Sequence, residues 1–190
     1  MKSITLNLPT GLAKEFAEEM MNLCKKYEVE ADGLKTLLPV TERIKTFEDA
    51  IEALGQGNPL VEEYIAVRDK LHTDTGDLIA YLKLRIITAA LNDGWGPEFR
   101  INEFRWYPWF EFYTKEEIDI MDEEQKGRVL GRSIYSANAH AGVAYSFSNS
   151  ASSYSYTGGG ARLCFKERAL VVYAGRQFLK EWADFMGFTK

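Results

Sequence analysis

Between Ser133 and Gly160 the chain runs for 28 residues without an Asp, Glu, Lys or Arg, and it is built mostly from Ser, Ala, Gly, Tyr and Asn. Tyr135, Ala137, Ala139, Ala141, Val143, Tyr145 and Phe147 occupy odd positions, and Ser136, Asn138, His140, Gly142, Ser146 and Ser148 fall between them. A repeat of two places the first set on one face of a strand and the second on the other. Asn149-Ser150-Ala151 then reads as a turn and Ser153-Tyr154-Ser155-Tyr156 as a return strand, so a β-hairpin is expected. This pattern constrains the fold; it names no reaction.

The residues before the stretch read as mainly helical. Ser3–Leu8 alternates up to Pro9 as a short strand, and Thr10 is placed to cap a helix carrying Leu12, Phe16, Met20, Leu23 and Tyr27. Asp32-Gly33 and Pro39 mark a loop, which suggests an arm over 1–40 and a main domain over 41–190. Thr46-Phe47-Glu48-Asp49 is a capping-box pattern whose helix Gly55 ends, and Asn58-Pro59 opens another helix. His72–Asp77 breaks that helix. Leu78–Leu91 is the clearest helical segment, with Leu78, Tyr81, Leu82, Arg85 and Ala89 on one face and Ile86 beside them. Arg85 is expected to snorkel or pair at the edge of that face.

Phe104–Tyr113 holds seven aromatics in ten residues, and Pro108 within it excludes a central strand, leaving an edge strand or an extended bend. Thr114–Glu117 is a further capping box, expected to start an acidic helix through Met121, and Asp122-Glu123-Glu124 reads as a solvated turn. Near the C-terminus, Leu170, Tyr173, Ala174, Phe178, Trp182 and Phe185 form one helical stripe. Gly175 inside it costs about 1 kcal/mol of propensity relative to Ala, which points to close packing against another element. The expected fold is α+β: a helical N-terminal half, an antiparallel β-hairpin or sheet region, and a C-terminal helix.

At 190 residues, 46% hydrophobic and 27% charged, the chain is long and apolar enough to bury a core. Cys24 and Cys164 form no CxxC pair, which argues against a disulfide scaffold or zinc knuckle. No apolar run approaches the length of a membrane span and no signal-peptide h-region opens the chain, so the expected compartment is the cytoplasm of the producing cell. Charge is unevenly spread. Residues 1–125 carry 14 Lys+Arg against 25 Asp+Glu, a net of −11; residues 126–190 carry 9 against 3, a net of +6. The asymmetry fits either two mutually attracting regions of one fold or an anionic partner.

Arg43–Ala50, Ala80–Leu84, Trp106-Tyr107-Pro108-Trp109-Phe110 and Arg162-Leu163-Cys164-Phe165-Lys166, followed by Tyr173–Phe178, resemble a family of uncharacterised proteins carried by bacteriophages and prophages of gut bacteria. The resemblance covers roughly Thr41 to Phe185, and the last motif is its most specific part. It implies a phage-associated protein, with the virion as an alternative location, whose relatives differ mainly inside the Ser/Tyr/Asn-rich stretch. It implies no activity, catalytic residue or cofactor.

Several functional readings follow. Ser133–Gly160 also lacks Gln, Met and Trp, and uses residues reachable by randomising the adenines of an AAC or AAT codon. A diversity-generating retroelement would leave that signature, and Tyr with Ser is the composition of adaptable binding surfaces; a plain Ser/Ala/Tyr-rich hairpin is the alternative. The candidate ligand-binding residues are Tyr135, Asn138, His140, Tyr145, Phe147, Asn149, Tyr154 and Tyr156. Arg162, Lys166, Arg168 and Arg176, with Lys180, could instead serve a single-stranded nucleic acid, against which an overall pI near 5.2 argues. Trp106–Phe110 suits core and edge packing or a groove for a sugar or Pro-rich peptide. His72-Thr73-Asp74 reads as a loop cap rather than a metal pair, and Cys164 among apolar neighbours reads as an inert thiol. Without a P-loop, GxSxG, HExxH or GxGxxG motif, the sequence points to a non-enzymatic binding or structural protein that needs no cofactor or metal.

Overall fold

The computed structural model describes residues 9, 11–28, 34–100, 102–131, 141–152 and 161–188. They belong to two compact units, Met1–Arg43 and Ile44–Lys190. In the first, helix α1 (Ala13–Tyr27) is followed by a 3-10 turn, Leu34–Leu37, and the short helix α2 (Val40–Arg43). Leu12 stands at the N-cap of α1 without a side-chain cap, and Lys14 pairs with Glu42 at 2.5 Å. Ala17 is buried, while Leu12, Leu23 and Tyr27 of the apolar stripe are exposed. The expected strand Ser3–Leu8, the Thr10 cap and Asp32-Gly33 lie outside the described residues.

The second unit is α+β: helices first, then a three-stranded antiparallel sheet and two terminal helices. Helices α3 (Phe47–Leu54) and α4 (Pro59–Leu71) begin as their sequences dictate. Thr46 and Asp49 form a reciprocal capping box, and Asn58 caps α4 with Pro59 in its first turn. Helix α5 (Asp77–Asn92) is the central element, buried along most of its circumference. Here the expected single stripe is corrected. Leu78 is 50% exposed, and Tyr81, Arg85 and Ala89 are only half-buried; Ile79, Ala80, Leu82, Leu84, Ile86, Ile87, Ala90 and Leu91 carry the core. A helix covered on several sides has no single apolar face for periodicity to report. Arg85 does sit at the edge, 2.5 Å from Glu63 and over the Tyr81 ring.

Strand β1 (Phe104–Tyr113) leads into two short helices, α6 (Lys115–Asp119) and α7 (Glu123–Lys126). Each opens with a capping box, Thr114 with Glu117 and Asp122 with Gln125. The acidic helix therefore stops at Asp119, and Asp122-Glu123-Glu124 is a helix start rather than a turn. Strands β2 (Leu130–Gly131) and β3 (Gly142–Ser152) complete a sheet of order β1-β3-β2. Pro108 accordingly lies on an outer strand, as its missing N–H requires. On the free side of β1, Trp106 exchanges two backbone hydrogen bonds of 3.0 Å with Phe165.

The expected turn at Asn149-Ser150-Ala151 is overturned. These residues continue β3 and pair with Tyr107, Trp106 and Arg105. Turn-favouring Asn and Ser are here overridden by the aromatic partner strand, since strand preference is set largely by cross-strand packing. Among the described residues β3 pairs with β1 and, at Gly142 and Val143, with β2; the expected return strand Ser153–Tyr156 lies outside the described residues.

After the 3-10 turn Ala161–Leu163 come α8 (Arg168–Gln177) and α9 (Leu179–Phe185). The expected single C-terminal helix is broken at Phe178, whose backbone leaves the helical region at φ −110°, ψ 34°. Leu170, Ala174, Phe178 and Trp182 are buried as the stripe predicts, whereas Phe185 is exposed. Val143 of β3 closes a core cluster with Ala183 and Phe188, against which Phe110, Leu130, Leu179 and Met186 pack. Among the described residues no helix is long and apolar enough to cross a membrane.

Candidate functional site

The chemistry-bearing surface arises from one irregularity in the sheet. Trp109 pairs with Phe147 while its neighbour Phe110 pairs with Tyr145, which leaves Ser146 as an extra residue on β3. Such a bulge shifts the alternation of faces by one position. Phe110 points to the core, where it packs on Trp182 at 5.5 Å and edge-on to Tyr145 at 6.3 Å. Tyr145 shares that inner face, lying against Gly175 of α8. Beyond the bulge it is Ser148 that meets α8, accepting from Arg168 Nε at 3.3 Å. Odd-numbered residues therefore do not share one face throughout β3: Val143 and Tyr145 point inward, and Phe147 points outward.

On the outer face Phe147 and Trp109 stack with ring centroids 5.6 Å apart and planes 6° from parallel, each 51% exposed. Beside them Glu111 accepts from Tyr113 Oη at 3.1 Å and from Ser146 Oγ at 3.4 Å. Burial, then the bond to Glu111, raises the Tyr113 pKa, so the phenol stays a neutral donor. Asn149 is exposed opposite Tyr107, its Oδ1 accepting from the Ser150 N–H at 2.8 Å. The result is a flat aromatic platform with hydrogen-bonding groups along one side.

Of the ligand-binding candidates, Phe147 and Asn149 reach this face and Tyr145 does not. Tyr135, Asn138, His140, Tyr154 and Tyr156 lie outside the described residues. Trp109 was legible as an aromatic, but its exposure was not; its place between Pro108 and Phe110, which both face the core, sets it outward. Glu111 and Ser146 carried no sequence signal of their own. Among the basic candidates Arg162 is exposed, the Lys166 backbone N–H donates to buried Asn92, and Arg176 lies over the Tyr145 ring at 5.4 Å.

Three of the described polar side chains sit as follows. Cys164 is buried, and burial pushes its thiol up to about 11, which leaves it protonated and unreactive at neutral pH. His72 is the C-cap of α4, in the left-handed region at φ 50°. Asp74 accepts from Tyr64 Oη at 2.5 Å and pairs with Lys83 at 2.9 Å, tying the loop before α5 to the helices around it. Among the described residues no three His, Cys, Asp or Glu side chains form a group that could hold a metal ion. No family model, curated protein or solved structure matches the chain.

Proposed function

We propose that the chain is a non-enzymatic binding protein that presents the outer face of its sheet to a ligand, phage-associated as the resemblance implies. One observation carries this reading: Trp109 and Phe147 stack on each other in the open, while Phe110 and Tyr145 of the same strands turn to the core side and are half-buried. Two parallel, stacked rings held apart from the core offer contact area with little side-chain entropy left to lose, which is what a recognition surface requires. Ser146 and Asn149 of β3, with Tyr113 and Glu111 of β1, supply hydrogen-bonding groups of the kind adaptable surfaces use. Codon-directed diversification of Ser133–Gly160 fits the same role, with the part of the stretch in Gly142–Ser152 carried on a strand braced by α8.

The test uses labelled protein and cells of the prophage-bearing species. Wild-type protein should bind, and a Trp109→Ala, Phe147→Ser variant should not, while both melt within a few degrees of each other. Retained binding by the variant contradicts the assignment of the outer face. The alternative, a nucleic-acid accessory protein using Arg162, Lys166, Arg168 and Arg176, requires binding that falls about 50-fold between 50 and 200 mM salt if each cation neutralises one phosphate of a single strand. Binding led by aromatic contact lacks that dependence.

A further inference from the structure

On the other edge of β3, β2 pairs with Gly142 and Val143, and among the described residues no strand pairs with that edge from the bulge onward. A cavity of about 510 Å³ lies there, lined by Gly127, Arg128, Val129 and Leu130 on one side, Tyr145 and Ser146 on the strand, and Arg176 and Leu179 from α8 and α9. The volume is that of an ordinary small-molecule site. Its walls combine two kinds of surface: Val129, Leu130, Leu179 and the Tyr145 ring are apolar, and the charged side chains are two arginines.

Arg176 is the informative residue. Its guanidinium rests on the Tyr145 ring, 5.4 Å from the centroid, and among the described residues no carboxylate lies within ion-pair distance of it. Stacking fixes the plane of the fork and leaves its edge donors for a ligand. Arg128 is paired with Glu124, but both side chains are largely exposed, and an exposed pair of this kind is worth at most about 1 kcal/mol, so it yields readily to a stronger anion. The backbone N–H groups of Gly127, Arg128 and Val129 are already bonded to Glu123, Gln125 and Lys126 carbonyls, and Ser146 is shared with Glu111. Recognition therefore falls to the two guanidiniums.

We infer that this cavity binds a small organic anion, its phosphate or carboxylate held between Arg176 and Arg128 and its apolar body against Tyr145, Val129 and Leu179. Planar forks favour such groups because they accept two parallel hydrogen bonds. The site is on the opposite edge of β3 from the pairing with β1 and does not depend on the outer-face reading.

The probes are phenyl phosphate, phenylacetate and inorganic phosphate, titrated into ¹⁵N-labelled protein at constant ionic strength. The expected result is saturable movement of the Gly127, Ser146 and Arg176 amides with at least one aromatic anion at a Kd of about 1 mM or below. Inorganic phosphate, lacking the apolar body, should bind more weakly. The stronger of the two aromatic anions identifies the acidic group. Arg176→Gln should weaken binding about tenfold or more and Arg128→Gln by a smaller factor. Should Arg176→Gln unfold the protein, Arg176→Lys decides, because it keeps the charge and loses the fork. No saturable shift with either aromatic anion, or affinity unchanged in the folded Arg176 variant, overturns the proposal.

Discussion

Replacing Gly175 by Ala adds one methyl group where α8 crosses the sheet. A Cβ at this position would come 2.9 Å from Tyr145 Cε2, closer still to Cδ2, and 3.3 Å from Pro108 Cβ. Overpacking of this kind typically costs about 1–3 kcal/mol, whereas the helix itself gains about 1 kcal/mol from Ala in place of Gly. The single variant should therefore be unstable by up to about 2 kcal/mol, or several degrees in Tm for a unit of this size. The sharper readout is a double-mutant cycle by urea denaturation. In a Tyr145→Ala background the ring is gone, and Gly175→Ala should become neutral or stabilising by up to the helix term. A coupling of about 1–3 kcal/mol is expected between the two positions. If Gly175→Ala stabilises the wild-type chain by about 1 kcal/mol and the coupling vanishes, α8 does not rest on Tyr145.

Three further outcomes follow from the packing. Phe178→Ala, at the junction of α8 and α9 and buried, should cost about 3–5 kcal/mol by chemical denaturation. Asn92→Ala should cost about 2–3 kcal/mol by the same assay, because Asn92 Nδ2 donates to the Cys164 carbonyl at 2.8 Å and its Oδ1 accepts from the Lys166 N–H at 3.1 Å, and both backbone groups lose their partner. Burial pushes the Asp74 carboxyl up, but the bonds from Tyr64 and Lys83 outweigh it and hold the group below its ordinary value of 3.8. Its contribution, about 1 kcal/mol or less for a largely exposed carboxylate, is present above pH 3.8 and lost as pH falls through the lower folded value; Asp74→Asn should narrow the difference in Tm between pH 7 and pH 3.

What the sequence made legible was local. Capping boxes at Thr46/Asp49 and Thr114/Glu117, and the Asn58-Pro59 start, need only residues three or four apart, and each stands where its spacing places it. Gly175 was legible too, because a glycine inside an apolar helical stripe has few explanations besides close approach. Long-range choices were not. Nothing in Asn149-Ser150-Ala151 reveals that the aromatic strand 37 to 46 residues earlier would claim it, and no periodicity signals the extra residue at Ser146. The bulge is what sets Phe147 on the outer face and Tyr145 on the inner one, a separation the alternation could not contain. The α5 stripe failed differently: a helix enclosed by α3, α4, α8 and α9 is apolar on several sides, and the face with the best spacing was not the buried one.

The aromatic platform depends on the reversal of faces at Ser146, and thiol accessibility measures that reversal directly. In a Cys24→Ser background, buried and protonated Cys164 gives little labelling, so single cysteines at Val143 and Phe147 can be compared in the folded protein. With the bulge, Phe147→Cys should react at nearly the rate of an unfolded thiol, and Val143→Cys should be protected by at least an order of magnitude. If β3 alternated without interruption, the two positions would share the buried face. Equal protection at both would contradict the bulge and, with it, the aromatic platform.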